Sequence, residues 1–524
     1  MLSERLKISC VTVCCLFVIS YATAQTQKSA QKFAKTITST DLYQHLSIIA
    51  SDEYEGRETC REGQKKAANY IGGHFRNLDL KPYGDNGSFQ QSFPIRITHS
   101  QGVSISVGED TLRPLKDYYN YFNGTNGTYQ TDEVVYLGFG INHSSYNDYE
   151  KVTTKDKIVM VSQGEPTDNG NYWIGGGKKP TSWTYDWRKK VEEAEKQGVK
   201  ALIIIDPELK HSVGQRKSAM TRQQFQLMSD EMDKPGIPVI YISRAEADVL
   251  LKKAGFKKST LWLEKKISQK KKPVKVHLKV PLEIRIERKI ENLTSENVIG
   301  FLEGTDKKEE VLVISAHYDH LGKKGEDVYN GADDDGSGTV SLLEIAEAFA
   351  IARDSGYAPR RSILFLSVSG EEKGLFGSKY YVDNPVIPLK NTVANLNIDM
   401  IGRTDMDHMH DSMYVYIIGS DKLSMDLHNI NEDANSTYTN LSLDYKYNDE
   451  NDPNRFYYRS DHYNFAKNDI PVIFYFTGVH EDYHKPTDTV DKIMFGKMST
   501  IAQLVFHTAW ELANKDNRIE MDKK

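Results

Sequence analysis

Cysteine is scarce. The 524-residue chain has four, and three of them (Cys10, Cys14 and Cys15) fall in the opening segment MLSERLKISCVTVCCLFVISYATAQ. That segment has a basic start, an apolar run from Ile8 to Ile19, and Ala22-Thr23-Ala24 before Gln25, which is the layout of a cleavable export signal over residues 1–24. Its removal would leave Cys60 alone, which excludes an internal disulfide. An exported chain of this kind must rest on core packing, with or without metal. Long apolar runs are also missing: the leader's run is short and interrupted, and no other reaches the length of a bilayer span. The mature protein is therefore expected without a stable membrane span, in the periplasm or the medium. Charge of one sign is lacking too. Lys and Arg total 67 against 73 Asp and Glu, a net charge of −6 that gives no footprint for nucleic acid or an anionic surface. No internal repeat is evident, and nothing in the sequence bears on oligomeric state.

The chain that remains is long enough for two or three domains. Residues 25–118 open with two expected helices. TDLYQHLSIIASDEYEGRE offers Thr40 as an N-cap and an apolar face of Leu42, Leu46 and Ile49, and GQKKAANYIGGHFRNLDL repeats Ala68, Ile71 and Phe75 at helical spacing. Over 119–275 the pattern changes to short Val- and Ile-rich strands (DEVVYLGFG, DKIVMVSQG, VKALIIIDP, IPVIYISR) with helices between them, a small α/β unit of its own. EKKISQKKKPVK behind it reads as a solvated linker or hairpin rather than a basic binding patch. From 276 to 524 strands alternate with helices again: VLVISA, SILFLSVS, VANLNID, MYVYIIG and PVIFYF are continuous apolar runs, as strands buried on both faces are. The fold class expected is α/β, a mostly parallel central sheet with helices on both faces, plus the smaller α/β insertion. Asn-x-Thr triplets such as Asn123-Gly124-Thr125 matter only in a host that glycosylates exported proteins.

In open α/β sheets functional groups gather at the carboxyl ends of strands. After VLVISA come His317 and Asp319; the next turn, NGADDDGSGT, holds Asp333, Asp334 and Asp335. SILFLSVSG leads to Glu371 and Glu372, VANLNID ends in Asp399, and the loop after PVIFYF carries His480, Tyr483 and His484. Alone, the triple aspartate could be a solvated turn or a calcium loop, although it lacks the later bidentate glutamate of such a loop. Together, imidazoles and carboxylates at successive strand ends point to a metal site, for zinc first and for manganese or cobalt as substitutes. A carboxylate bridging two cations would offset the repulsion within the aspartate run. Two metals could activate one water, with a neighbouring carboxylate as base. Glu371 and Glu372, adjacent and pointing apart, supply a base and a ligand. Asp319 is placed to hold the second nitrogen of His317.

The stretches AHYDHLG, NGADDDGSGT, SGEEKGLFGS, NIDMIGR and YHKPTDT, with IIASDEYEGRE near the start, resemble in order the signatures of the co-catalytic zinc exopeptidases of metallopeptidase family 28. The inserted unit resembles a protease-associated (PA) domain. The resemblance implies two zinc ions per chain: His317 and Asp399 on one, Glu372 and His484 on the other, and Asp334 bridging. It implies Glu371 as general base, Asp319 as the partner of His317 and Tyr483 as a donor to the developing oxyanion. Asp333 and Asp335 are then turn and helix-start residues, and His320, His462 and His480 are not ligands. The expected activity is an exported aminopeptidase acting on peptides. A carboxypeptidase of the same family, using Arg403, Arg455 and Arg459, is the alternative. A receptor-like ectodomain without catalysis is a more distant one, because no ligand position has been replaced.

Overall fold

The computed structural model describes residues 28–121, 124–228 and 236–522. The export signal read over 1–24, with its three cysteines, lies outside the described residues, and so does Asn123. Two compact units emerge: one formed by the chain up to Ile95 and from Leu293 onward, the other by Arg96–Asn292. The second reaches beyond the 119–275 stretch because its sheet takes in Val103–Val107 and Lys275–Ile286. Both pair in antiparallel register, and the latter also lies along Gly127–Leu137. The order of that sheet continues through Ile158–Ser162, Ala201–Asp206 and Val239–Ser243 to Tyr118–Asn120. EKKISQKKKPVK is not a linker. Its first seven residues lie in the helix Thr260–Lys270, with Ile267 buried, and residues 271–274 form the turn into the following strand.

The first unit is built on strands β1 (Gln90–Thr98), β2 (Ile290–Leu302), β3 (Lys307–His317), β4 (Arg361–Val368), β5 (Thr392–Ile398), β6 (Tyr414–Ile418), β7 (Ser442–Asp444) and β8 (Val472–Phe476). They lie in the order β1-β2-β4-β3-β5-β8-β6-β7. The four central strands β4, β3, β5 and β8 are mutually parallel, and β2 and β6 run antiparallel to their neighbours β4 and β8. Side chains alternate across the sheet with the period of two that a strand imposes. Leu312, Ile314 and Ala316 enter one core while Val311 and Val313 enter the other; Ile363 and Phe365 likewise oppose Leu364, Leu366 and Val368. Helices α1 (Ser39–Ile49), α2 (Glu62–Asn77), α3 (Gly338–Asp354), α5 (Met425–Ala434) and α7 (Phe495–Asn514) cover the first face. Helices α4 (Phe376–Asp383) and α6 (His462–Ala466) cover the second. In α1 the buried residues are Leu42, Leu46 and Ile49, but the cap is Thr38, not Thr40: the Thr38 hydroxyl accepts from the Asp41 amide. Among the described residues no helix is long and apolar enough to cross a membrane. Burial pushes the thiol of Cys60 up to about 12, so the free cysteine is unreactive at neutral pH.

Candidate active site

The parallel strands deliver the predicted residues to one place. β3 ends on His317, β5 is followed by Asp399, β4 leads to Glu371 and Glu372, and the loop after β8 brings Tyr483 and His484. The triple-aspartate turn, Ala332–Ser337, opens α3. It needs Gly331 at its mouth: φ is +52° there, and a β-carbon would collide with the Asp334 carbonyl and the His320 ring. The peptide bond between Asp334 and Asp335 is cis.

Asp334 stands between two imidazoles. Its Oδ1 is 3.4 Å from His317 Nε2, and its Oδ2 is 3.1 Å from His484 Nε2. Each imidazole faces a second carboxylate as well, His317 at 3.6 Å from Asp399 and His484 at 3.3 Å from Glu372. Glu371 lies 3.9 Å from His317 Nε2, at the edge of this array. Asp333 and Asp335, the outer members of the run, are engaged by backbone amides, although Asp335 lies close to His317 and Asp399. Asp335 accepts from the amides of His317 (3.2 Å), Gly338 (2.8 Å) and Met400 (3.1 Å), which ties the start of α3 to the ends of β3 and β5. Asp333 accepts from the Gly402 amide at 2.6 Å and faces His480 at 3.3 Å.

Three placements differ from the sequence reading. Asp319 holds His317 through its backbone: the carbonyl is 3.1 Å from Nδ1, the carboxylate 3.8 Å. The Asp319 carboxylate instead accepts from the Thr59 hydroxyl (2.6 Å) and the Glu371 amide (3.2 Å), so it fixes the loop that carries Glu371. His320 is buried against the array, with Nδ1 2.9 Å from Glu372 and 3.8 Å from Asp334. Of the three arginines, Arg403 is bonded to Asp482 at 3.1 Å and Arg455 stacks over Tyr458; only Arg459 lines the pocket. His462 stacks on Phe474 away from the carboxylates, and burial pushes it down to about 3.

Sequence reasoning missed the frame behind these groups. Arg57 is fully buried, and its guanidinium donates only to backbone carbonyls: Tyr318 (2.8 Å), Ile49 (2.8 Å), Asn330 (2.6 Å) and Gly331 (2.9 Å). It thereby pins the segment after β3 and the aspartate turn to the end of α1. Asp488 accepts from the amides of Asp333 (3.1 Å) and Asp334 (3.2 Å), and the Ser460 hydroxyl donates to Asp399 at 2.6 Å. The signal for Arg57 in the sequence is its place within IIASDEYEGRE, a stretch that carries resemblance but no distinctive chemistry.

The electrostatics call for a cation. Burial resists a charge on His317, yet Glu371 and Asp399 outweigh it and hold the imidazole well above its usual range. His484 is likewise driven up to about 10 against burial, by Asp334 and Glu372. Burial holds Glu371 well above the carboxylate range, with repulsion from Glu372 and Asp399 opposing the pull of His317. The buried oxygens Asp334 Oδ2 and Glu372 Oε1 receive no aligned hydrogen bond and face imidazole nitrogens, as ligand atoms around a metal would. Imidazole nitrogens and carboxylate oxygens are the donor set that suits zinc. Next to them is a cavity of about 30 Å³, walled by Phe456, Phe474, Phe476, Val479 and Tyr483, with Arg459 at its edge. A cleft of about 370 Å³ shares Phe456, Arg459, Val479 and Tyr483 with it.

Residues 297–509 match the model of peptidase family M28, and residues 130–250 match that of the PA domain. Aminopeptidase YwaD of Bacillus subtilis (strain 168) is 26% identical over 347 residues, 65% of this chain and 57% of that protein. A probable leucine aminopeptidase of Trichophyton verrucosum (strain HKI 0517) is 31% identical over 215 residues, 40% of this chain and 55% of its own. The chain thus matches little more than half the length of these curated relatives. Among solved structures, the aminopeptidase from Aneurinibacillus sp. strain AM-1 has a TM-score of 0.53 at 19% identity, covering 94% of this chain and 99% of that one. That is a likeness of fold.

Proposed function

We propose that this chain, which carries a peptidase family M28 domain and a PA domain, is an exported aminopeptidase that uses two zinc ions to hydrolyse the first peptide bond of peptides. The observation that carries the reading is the position of Asp334. One carboxylate spans two imidazoles, each with an acidic partner of its own, which is the arrangement for two metal centres sharing a bridge. His317 and Asp399 would hold one zinc, Glu372 and His484 the other, and Asp334 both. When bound, zinc would supply Lewis acidity toward the scissile carbonyl and lower the pKa of the attacking water. Glu371 takes the proton of that water and delivers it to the leaving amine; its raised proton affinity suits both halves of the task. The Tyr483 hydroxyl, on the pocket wall beside His484, donates to the carbonyl oxygen as charge develops. The aromatic wall excludes water and receives the substrate's first side chain. Export is supported by the leader-like residues 1–24.

The carboxypeptidase reading needs several arginines around a substrate carboxylate, and Arg459 alone lines the pocket. The deciding experiment incubates the zinc-loaded protein with an unblocked peptide and its N-acetylated twin and follows both by mass spectrometry. A ladder shortened from the amino end, absent for the acetylated twin, is expected. Shortening from the carboxyl end would replace the aminopeptidase by the carboxypeptidase. No cleavage with both zincs bound would refute broad aminopeptidase action.

A further inference from the structure

A second group of ligand-type side chains lies between α1, α2 and α3 and shares no residue with the pocket. His45 comes from α1, His74 from the last turn of α2, and Glu344 and Glu347 from one face of α3, three residues apart. Both imidazoles are oriented through one nitrogen and present the other. His45 Nδ1 is held 2.7 Å from the Tyr70 hydroxyl, and its Nε2 lies 3.3 Å from Glu344. The His74 ring is hydrogen-bonded to the Leu343 backbone, and its Nε2 lies 3.9 Å from Glu347. The two rings stand edge to face with centroids 4.8 Å apart, and donor atoms of His45, His74 and Glu347 all fall within 4.8 Å of one another.

We propose that His45 Nε2, His74 Nε2, Glu344 and Glu347 form a structural site for one divalent transition metal, zinc foremost, that staples the two N-terminal helices to α3. Ligands at zinc–nitrogen and zinc–oxygen distances of about 2.0–2.2 Å around a tetrahedral ion stand about 3.3–3.6 Å apart. The His45–Glu344 pair is already at that spacing, and the His74–Glu347 pair needs to close by a few tenths of an ångström. An ordinary salt bridge between His45 and Glu344 leaves the rest unexplained. His74 Nε2 is buried without a hydrogen-bond partner, and Glu344, its side chain only 3% exposed, has no aligned donor on Oε1 although that oxygen faces His45 Nε2 at 3.3 Å. An ion among them would satisfy both atoms. Two oriented imidazoles with carboxylates favour zinc over calcium or magnesium, which seek all-oxygen shells.

The site has a structural task. α3 begins at the aspartate turn, and Leu46, the residue after His45, packs against Gly336 within that turn. A metal clasp on His45 would hold α1 down on the loop that carries Asp334. The chain has no disulfide that could do this among the described residues.

The test uses the full-length protein, stripped by chelation, reloaded with zinc alone and desalted, with zinc counted by mass spectrometry. Wild type is expected to retain one equivalent per chain more than the His45→Gln/His74→Gln double variant, and equal zinc in the two overturns the proposal. A second measurement needs no variant: anomalous diffraction at the zinc edge from wild-type crystals grown with stoichiometric zinc. A peak between the His45 and His74 rings supports the site. Absence of that peak while zinc fills the His317–His484 array refutes it, whatever the enzyme's activity.

Discussion

Replacing Arg57 by methionine tests whether the catalytic loops are held by a buried cation. The side chain is fully buried and gives four hydrogen bonds to the carbonyls of Tyr318, Ile49, Asn330 and Gly331. Methionine fills much of the same volume and donates nothing. Each buried carbonyl left unmade costs about 1–3 kcal/mol, and water or a shift of the turn recovers part of that. Removing the guanidinium also relieves its own desolvation, which burial makes large enough to lower its pKa. With both offsets, Arg57→Met is expected to cost about 3–5 kcal/mol, and Arg57→Lys, which keeps the charge and some donors, roughly half as much.

The charge adds a condition that packing alone would not. Asp319, Asp488, Asp335 and Asp334 all favour the charged guanidinium. Arg57 therefore offsets part of their mutual repulsion, and bound zinc would take over that task. The methionine variant should accordingly lose more stability in the metal-stripped protein than in the zinc-loaded one. Urea denaturation of both forms of wild type, Arg57→Lys and Arg57→Met measures this. A loss below about 1 kcal/mol for Arg57→Met, within the range of ordinary surface substitutions and their scatter, would refute the frame argument. An equal loss with and without zinc would refute its electrostatic half.

Glu371→Gln keeps the size of the base and removes its proton affinity, so kcat should fall by about 10²–10⁴ while zinc content is unchanged. Loss of zinc in that variant would make Glu371 a ligand. Chelation should abolish cleavage, and added zinc should restore it, with cobalt or manganese as partial substitutes; full activity after complete metal removal would exclude the metal reading. Burial pushes His507, stacked on Tyr438, down to about 4, against about 6.5 in an unfolded chain. Between those values the unfolded state binds more protons, so stability is complete above pH 6.5 and falls as pH drops through 4, by about 3 kcal/mol in all. His507→Phe should flatten this acid limb in a denaturation series from pH 7 to 4, and an unchanged slope would show that other groups set it.

Much of the site was legible because its groups are side chains of distinctive chemistry at strand ends. His317, Glu371, Glu372, Asp399 and His484 stand out for that reason, whereas only the resemblance singles out Asp334 within its run, and the structure brings all six into one array. The strands were legible for a similar reason, since continuous Val, Ile and Leu runs have few other uses. What stayed hidden depends on the backbone or on distant pairing. Arg57 bonds only to carbonyls, which every residue has, so no residue type announces its partners. Asp319 was identified as the partner of His317, but the carbonyl makes the contact and the carboxylate serves the Glu371 loop. The edges of the inserted unit turn on strands more than 150 residues apart, as when Ile105 pairs with Ile284, and local composition does not report such a pairing.

Hydrogen-bond accounting separates the carboxylates around the site. Asp319 and Asp335 have both oxygens engaged by fixed donors of the chain: a hydroxyl and an amide for the first, three amides for the second. Asp333 accepts from an amide and faces His480 with its other oxygen. The charges of Asp319 and Asp335 are already answered, and such groups serve best as frame; Asp333 Oδ2 is buried without a donor. Asp334 Oδ2 and Glu372 Oε1 are as deeply buried but have no donor, and they face imidazole nitrogens that are ligands when neutral. A buried anion without a donor is costly, and the same fold that satisfies Asp335 three times leaves these oxygens bare. Concentrated acidity alone would not distinguish a metal centre from a strained turn. The donors separate Asp334 from Asp335, and its place between His317 and His484 separates it from Asp333, which faces His480.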